Sequence, residues 1–245
     1  MKKLFTTILL ILSTTYANAI SLPDSLNYTA RIGYNIGGTA PIGMPNTIRK
    51  LNKYTFKTNI SFGLDVQKDL WGKWGLLTGL HIENKAMDID ATVKNYHMEA
   101  YNADGSGKVE GAWTGHVKTN LDNNYLTFPV LVTYNFTDRW QMKAGPYVSW
   151  MFNGSFTGEA YDGYIRDQDP TGQKSDVTRA TYDFSDKLRK FHWGVILGGE
   201  FKAYKHLSVS LNLQWGLNGI FPSDFNSVTF ALYPIYGNLG FNYLF

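Results

Sequence analysis

Along most of this chain, large apolar or aromatic residues alternate with small polar ones. In "LSVSLNLQWGLN", Leu207, Val209, Leu211, Leu213, Trp215 and Leu217 alternate with Ser208, Ser210, Asn212, Gln214, Gly216 and Asn218. "LNYTARIGYNIG" repeats the pattern with Tyr28, Ala30, Ile32, Tyr34 and Ile36, and "NISFGLDVQ" with Ile60, Phe62, Leu64 and Val66. "WGLLTGLHIE" puts Trp74, Leu76, Leu80 and Ile82 on one face, and "YLTFPVLVTYNF" does so with Leu126, Phe128, Val130, Val132, Tyr134 and Phe136. "WQMKAGPYVSWMF", "FHWGVILGGEF" and the closing "LYPIYGNLGFNYLF" complete a set of eight. A period of two is that of a β-strand whose faces meet different surroundings, and no helical period of comparable strength competes with it. The pattern predicts eight antiparallel strands.

Alternation alone does not separate a soluble barrel from a membrane one. Three features favour the membrane. The polar faces are rich in Gly, Ser, Thr and Asn, small enough to fill a narrow lumen. Aromatic residues gather at strand ends on two levels. Trp71, Trp74, Trp140, Tyr204 and Phe245 mark one; Tyr54, Phe56, Trp150, Phe152, Trp193, Trp215 and Tyr233 mark the other. Two aromatic belts match two membrane–water interfaces. The connections alternate in length, with tight turns near 68–73, 137–139 and 203–206 and long polar loops expected at 37–55, 87–123 and 153–189. Short periplasmic turns and long outer loops are the arrangement of outer-membrane barrels.

The first residues agree with export. "MKKLFTTILLILSTTYANAI" has basic Lys2 and Lys3, an apolar run from Leu4 to Leu12, and the small-x-small site Ala17-Asn18-Ala19. This predicts a signal peptide over 1–19, cleaved after Ala19, ahead of a barrel domain over 20–245. The apolar run is too short to anchor the chain, and nothing after it is long enough to cross a membrane as a helix. Loss of Lys2 and Lys3 lowers the net charge from +3 to +1, which gives no reason to expect nucleic acid as a partner. With no cysteine, an exported chain has no disulfides to rely on.

Four segments carry a resemblance to a known family: "NYLTFPVLVTYNF" (124–136), "KAGPYVSWMF" (143–152), "WGVILGGEF" (193–201) and the closing "GFNYLF". The chain resembles the small porin-like outer-membrane β-barrel domain proteins, the PorT-like group common in Bacteroidota. The resemblance implies an outer-membrane location in a Gram-negative cell, with both termini periplasmic. It also implies contact with membrane lipid and lipopolysaccharide, and a terminal aromatic signal read by the barrel-assembly machinery. Leu239, Phe241, Tyr243 and Phe245 match that signal.

The inward faces carry Arg31, Asp65, His81, Glu83, Lys85, Lys143, His192, Glu200 and Lys202. An eight-stranded barrel is only wide enough for side chains to fill it, and unpaired buried charge is costly. These residues are therefore expected to form a charge network that plugs the lumen. Lys143 with Glu200 is the expected pair, inward on neighbouring strands at one depth, and Arg31 with Asp65 is a second, less evenly levelled one on the first two strands.

Two nucleophile–base candidates need weighing, His206 with Ser208 and Ser149 with His192. Neither has an acidic partner in view, and both are read as wall residues. Asn102, Asp104, Asp162, Asp167 and Asp169 offer oxygens for calcium, but their stretches do not give a full ligand set. No cofactor and no metal is expected. The reading is a non-enzymatic barrel with a filled lumen and outer loops for envelope or partner contacts. A narrow porin for small solutes and an outer-leaflet lipid-modifying enzyme are the alternatives.

Overall fold

A computed structural model of the chain describes residues 25–102, 108–167, 170–225, 227–228 and 230–245. The expected signal segment lies outside them. Among the described residues ten strands are formed: β1 (Asn27–Pro41), β2 (Ile48–Phe56), β3 (Ile60–Asp69), β4 (Trp74–Asn102), β5 (Lys108–Asn135), β6 (Trp140–Asp167), β7 (Lys174–Asp183), β8 (Phe191–Tyr204), β9 (Leu207–Gly216) and β10 (Leu232–Leu244). All pairings are antiparallel. They run β1–β3–β4–β5–β6–β8–β9–β10 and return from β10 to β1 over Thr29↔Leu244 to Pro41↔Leu232.

The expectation of eight strands is thereby corrected to ten, and the closure is uneven. Beyond the shared ring, β2 pairs with β4, while β7 pairs with β6 and with the last residues of β4. The reason is length. β4, β5 and β6 run for 29, 28 and 28 residues, where roughly 9–11 suffice to cross a bilayer. Their upper halves need other partners, and β2 and β7 supply them. The long polar loops expected at 87–123 and 153–189 are therefore mostly strand, as are parts of 37–55.

The two faces of the ring differ as the alternation requires. In β9, Leu211 is 64% exposed while neighbouring Ser210 is 1% exposed. Ile32, Phe62, Leu80, Val130, Met142, Leu197, Leu213 and Phe241 likewise point outward. A continuous apolar belt of this extent is stable only against an apolar solvent, and the closed pairing leaves that solvent no backbone edge to solvate. Trp71, Trp74, Trp140, Tyr204 and Phe245 stay exposed near the tight turns, and Trp150, Phe152, Phe191, Trp193 and Trp215 at the other rim. Tyr54 leaves the second belt: on β2 its hydroxyl bonds to the Gly37 carbonyl and its ring packs inward.

Past the second rim, the extension builds a core of its own. Met87, Val93, Trp113, Leu121, Phe156, Tyr182, Leu188 and Ile220 are buried together there. The connection between β9 and β10 contributes Ile220 and Val228, and the first residue of β10 contributes Leu232, so this core caps the mouth of the ring.

Candidate functional site

The interior of the ring is built in layers. Nearest the turns, Lys143 on β6 lies 2.8 Å from Glu200 on β8, whose other oxygen accepts the Ser208 hydroxyl at 2.5 Å. The strand partners are Lys143↔Gly198 and Gln141↔Glu200, so the contact is diagonal across adjacent strands. Next to it, Asp65 sits between Arg31 at 2.7 Å and His81 Nε2 at 2.7 Å. Glycines make room for these side chains. A Cβ on Gly63 would stand 2.4 Å from the His81 ring, and one on Gly79 would stand 2.2 Å from Asp65 Oδ1.

A second polar layer centres on Glu83. One oxygen accepts from Gln214 at 2.7 Å; the other takes Thr127 at 2.9 Å and Lys85 at 3.1 Å. Lys85 also donates to Gln214 Oε1 at 2.6 Å and lies 5.3–5.8 Å from the ring centres of Tyr125, Tyr147 and Tyr236. An ammonium held by a carboxylate, an amide and three ring faces is fully engaged. Asn238 adds bonds to Asn35 and Ser61 at 2.8 and 2.9 Å. Between the layers, Arg31, His81, Glu83, Leu131, Ile196 and Gln214 are among the walls of a void of about 10 Å³. That is at the lower limit for one water molecule.

Of the expected lumen residues, Arg31, Asp65 and His81 form one group, Lys143 and Glu200 another, and Glu83 a third with Lys85. His192 stands apart, its Nε2 donating to the Arg189 carbonyl at 2.8 Å, and Lys202 is exposed at the turn end. The wall also contains an apolar patch, Leu77, Leu131, Tyr147 and Ile196, that alternation assigned to no role. Its signal was present as runs without a polar break, Leu76-Leu77, Val130-Leu131-Val132 and Val195-Ile196-Leu197.

The nucleophile candidates do not assemble. Ser149 and His192 are strand partners, yet Ser149 bonds to Thr127 at 2.7 Å and His192 to backbone. Ser208 bonds to Glu200, and His206 donates to the Leu244 carbonyl at 2.8 Å. Among the described residues no group of His, Asp and Glu could hold a metal ion. Asp104 and Asp169 lie outside the described residues.

On the outer face of the extension, Asn52 donates to Asp90 at 2.9 Å and to Thr92 at 3.0 Å, and lies 3.3 Å from His116 Nδ1. Tyr161 donates to the other Asp90 oxygen at 2.5 Å, and its ring stacks on His116 at 5.2 Å. That hydrogen bond, ahead of slight burial and nearby carboxylates, pushes the Tyr161 hydroxyl up to about 12. Burial alone would raise Asp90, but the bonds from Tyr161 and Asn52 outweigh it and hold the carboxyl below its usual range.

A closed antiparallel ring, an outward apolar belt between aromatic rims and a packed polar interior define a membrane-spanning β-barrel. The chain belongs to the outer membrane protein beta-barrel domain family, whose model matches residues 16–222. Its place is therefore the outer membrane of a Gram-negative cell. No curated protein matches it in sequence. Solved structures similar to it include Ail, the attachment invasion locus protein of Yersinia pestis, in complex with the heparin analogue sucrose octasulfate. That match has 9% identity, covers 90% of this chain and 97% of Ail, and has a TM-score of 0.37. Ail in a phospholipid bilayer nanodisc gives 11% identity, coverage of 89% and 99%, and a TM-score of 0.35. The translocator domain of the autotransporter NalP from Neisseria meningitidis gives 11%, 96% and 93%, and 0.26. TM-scores this low carry no argument about this chain.

Proposed function

We propose that the protein is a non-enzymatic outer-membrane barrel with a closed lumen, whose extension stands outside the cell and makes its contacts. The observation that carries this reading is the void of about 10 Å³ between the charged layers, too small for a solute path. The wide basin at the turn end, of about 550 Å³, is floored by Glu200, whose partner Lys143 is buried behind it. The orientation rests on the contrast between tight turns at one end and 28- to 29-residue strands rising past the other. β1 begins and β10 ends at the turn end, where Asn27 pairs with Gln67 and the Leu244 amide donates to the His206 carbonyl, and in this reading that end faces the periplasm. The upper rim meets lipopolysaccharide. Leu239, Phe241, Tyr243 and Phe245, outward on the closing strand, are the signal for the barrel-assembly machinery.

Planar-bilayer recording tests the closed lumen. The wild-type barrel is expected to insert without stepwise conductance. Reproducible steps that scale with salt would establish the narrow porin instead, and release of acyl chains from outer-leaflet lipid would establish the enzyme.

A further inference from the structure

Above Tyr34↔Ile60, the last position at which β1 pairs with β3, the wall of the barrel splits. β1 goes on with β10 and β2 with β4, and among the described residues no strand pairs with the facing edge of either. The base of the split is closed by the Asn35 amide, which donates to the Asn59 carbonyl at 2.7 Å, and by the Tyr54 hydroxyl on Gly37. Counting up from Tyr34↔Ile60 puts Phe56 level with Gly38 and Lys53 level with Pro41. Gly38 is in register with Ile235, and Ile235 with Trp215 of the rim. Lys57 thus stands at the rim, and Lys53 is three residues, about 10 Å along the strand, above it. Ile36, Ile42, Phe56 and Ile60 are exposed around the opening.

β2 turns its cations outward. Lys50 faces Thr92 and Lys53 faces Asp90, both outward positions of β4. Residues three apart on a plain strand point opposite ways; the register shift at Asn52 brings these two to one face. Arg49, Lys50 and Lys53 are exposed, and none is ion-paired among the described residues. Lys57 pairs with Asp88 at 3.0 Å, while Asp90 has its two oxygens taken by Asn52 and Tyr161. Exposed Lys94 joins the sector, its amide bonded to the Thr47 carbonyl at 2.8 Å. Five cations here therefore face two carboxylates, Asp88 and Asp90. No Asp or Glu occurs from Ile32 to Leu64, and β10 beside β1 has no charged residue. Asp122, Glu159 and Asp183 lie further along the sheet, on β5, β6 and β7, with Lys118 and Arg179 among them.

We propose that this split sector of the rim holds the phosphate groups of an outer-leaflet glycolipid, an inference that rests on the reading of the extension as standing outside the cell. Cations without counter-ions, climbing one strand from headgroup depth, suit phosphates at successive depths of such a lipid. Arg49 adds a planar fork of donors that matches phosphate oxygens. Ile36, Phe56 and Ile60, beside and below the cations, meet the acyl chains of the same molecule. An added peptide strand is the other occupant an open edge invites, but lysines and bulges are the features that prevent such pairing. A soluble polyanion would engage the cations alone, whereas a lipid is held by both.

The test uses the full chain refolded in phosphatidylcholine nanodiscs doped with rough lipopolysaccharide, or with the same material chemically stripped of phosphate. Native mass spectrometry then counts the glycolipid each barrel retains on release into detergent. The wild type is expected to retain the phosphorylated form, less so as salt rises, and to release the stripped form. Lys50→Gln with Lys53→Gln should cut retention by about tenfold, and Lys50→Arg with Lys53→Arg should keep it. Lys187→Gln with Lys190→Gln, exposed cations just ahead of β8, should leave it unchanged. Heat-modifiable gel mobility confirms folding, and if the glutamine pair misfolds, Arg49→Gln replaces it with a smaller expected loss. Equal retention of the stripped glycolipid overturns the proposal, and so does undiminished retention in the folded glutamine variant. An equal loss in the Lys187 and Lys190 variant also overturns it, since any rim cation would then serve. Displacement by inorganic phosphate overturns it too and makes the sector a site for free anions. Orientation is read separately, by protease on intact cells. An extension cut only after the outer membrane is opened would sink the reading of which end is outside and leave the nanodisc result unchanged.

Discussion

At the scale of single residues, the Lys143–Glu200 contact is the sharpest statement the interior makes. The Lys143 side chain is fully buried, whereas Glu200 keeps 19% of its side-chain surface at the edge of the turn-end basin. The two partners are therefore not equivalent. Lys143→Met leaves a carboxylate that still has Ser208 and some solvent, so its loss should fall at or below the low end of the roughly 3–5 kcal/mol for breaking a buried pair. Glu200→Gln strands an ammonium with no water and Arg31 nearby, and should cost more. The double variant is expected to recover part of the sum, read by denaturant unfolding in one detergent. Strict additivity would show that the two groups do not interact. The pair was legible because both residues sit on inward positions at matched distances from their turns. Arg31 with Asp65 was legible on the same ground, but His81 as the second partner of Asp65 was not. That contact depends on the space over Gly63, which no alternation pattern encodes. Lys85 could be placed inside by the pattern, yet its cage of Tyr125, Tyr147 and Tyr236 brings β5 and β6 together with β10, distant in the chain.

Among the elements, strands within the bilayer were far easier to read than strands beyond it. Inside the membrane, lipid on one side and a narrow, mostly polar lumen on the other force a contrast along most of each strand, strictest in β9, with Leu77, Leu131 and Ile196 the inward exceptions. In the extension both faces relax. Outward positions such as Asp88, Asp90 and Thr92 look like loop residues, and the inward series Met87, Ile89, Ala91 and Val93 is only moderately apolar. Bulges near Asn95 and Asp162 then shift the phase, so β4, β5 and β6 read as ending near the rim. The contrast within β9 gives a direct check of orientation. Leu211→Arg places a charge in mid-bilayer and should cost roughly 2–4 kcal/mol. Ser210→Ala removes a 3.4 Å contact to Asn242 inside the lumen and should cost about 0.5–1.5 kcal/mol. Equal losses in reversible unfolding would refute the assignment of faces.

For the whole molecule, the chain builds two structures that depend on different contacts. The ring needs its last strand: β10 pairs with β1 over thirteen positions, and the Phe245 amide bonds to the Tyr28 carbonyl at 3.0 Å. Until that seam closes, both edges are exposed to lipid that cannot solvate them. The extension instead depends on its own core, where Trp113 is 1% exposed and donates to the His116 carbonyl at 3.3 Å. Two variants should therefore fail in different ways. Deleting Phe245 removes an exposed ring and one backbone bond, too little to unfold a finished barrel. It should slow assembly, lowering the heat-modifiable fraction at early times, while molecules that do assemble resist protease like the wild type. Trp113→Ala should lose about 3–5 kcal/mol from the extension core and open β4–β6 above the rim to protease, with the ring assembling at its normal rate. A Phe245 deletion that assembles as fast as the wild type would remove the terminal residues from the assembly signal. A Trp113→Ala chain that assembles as slowly as that deletion would show ring and extension folding as one unit, since damage far from the seam would then reach it.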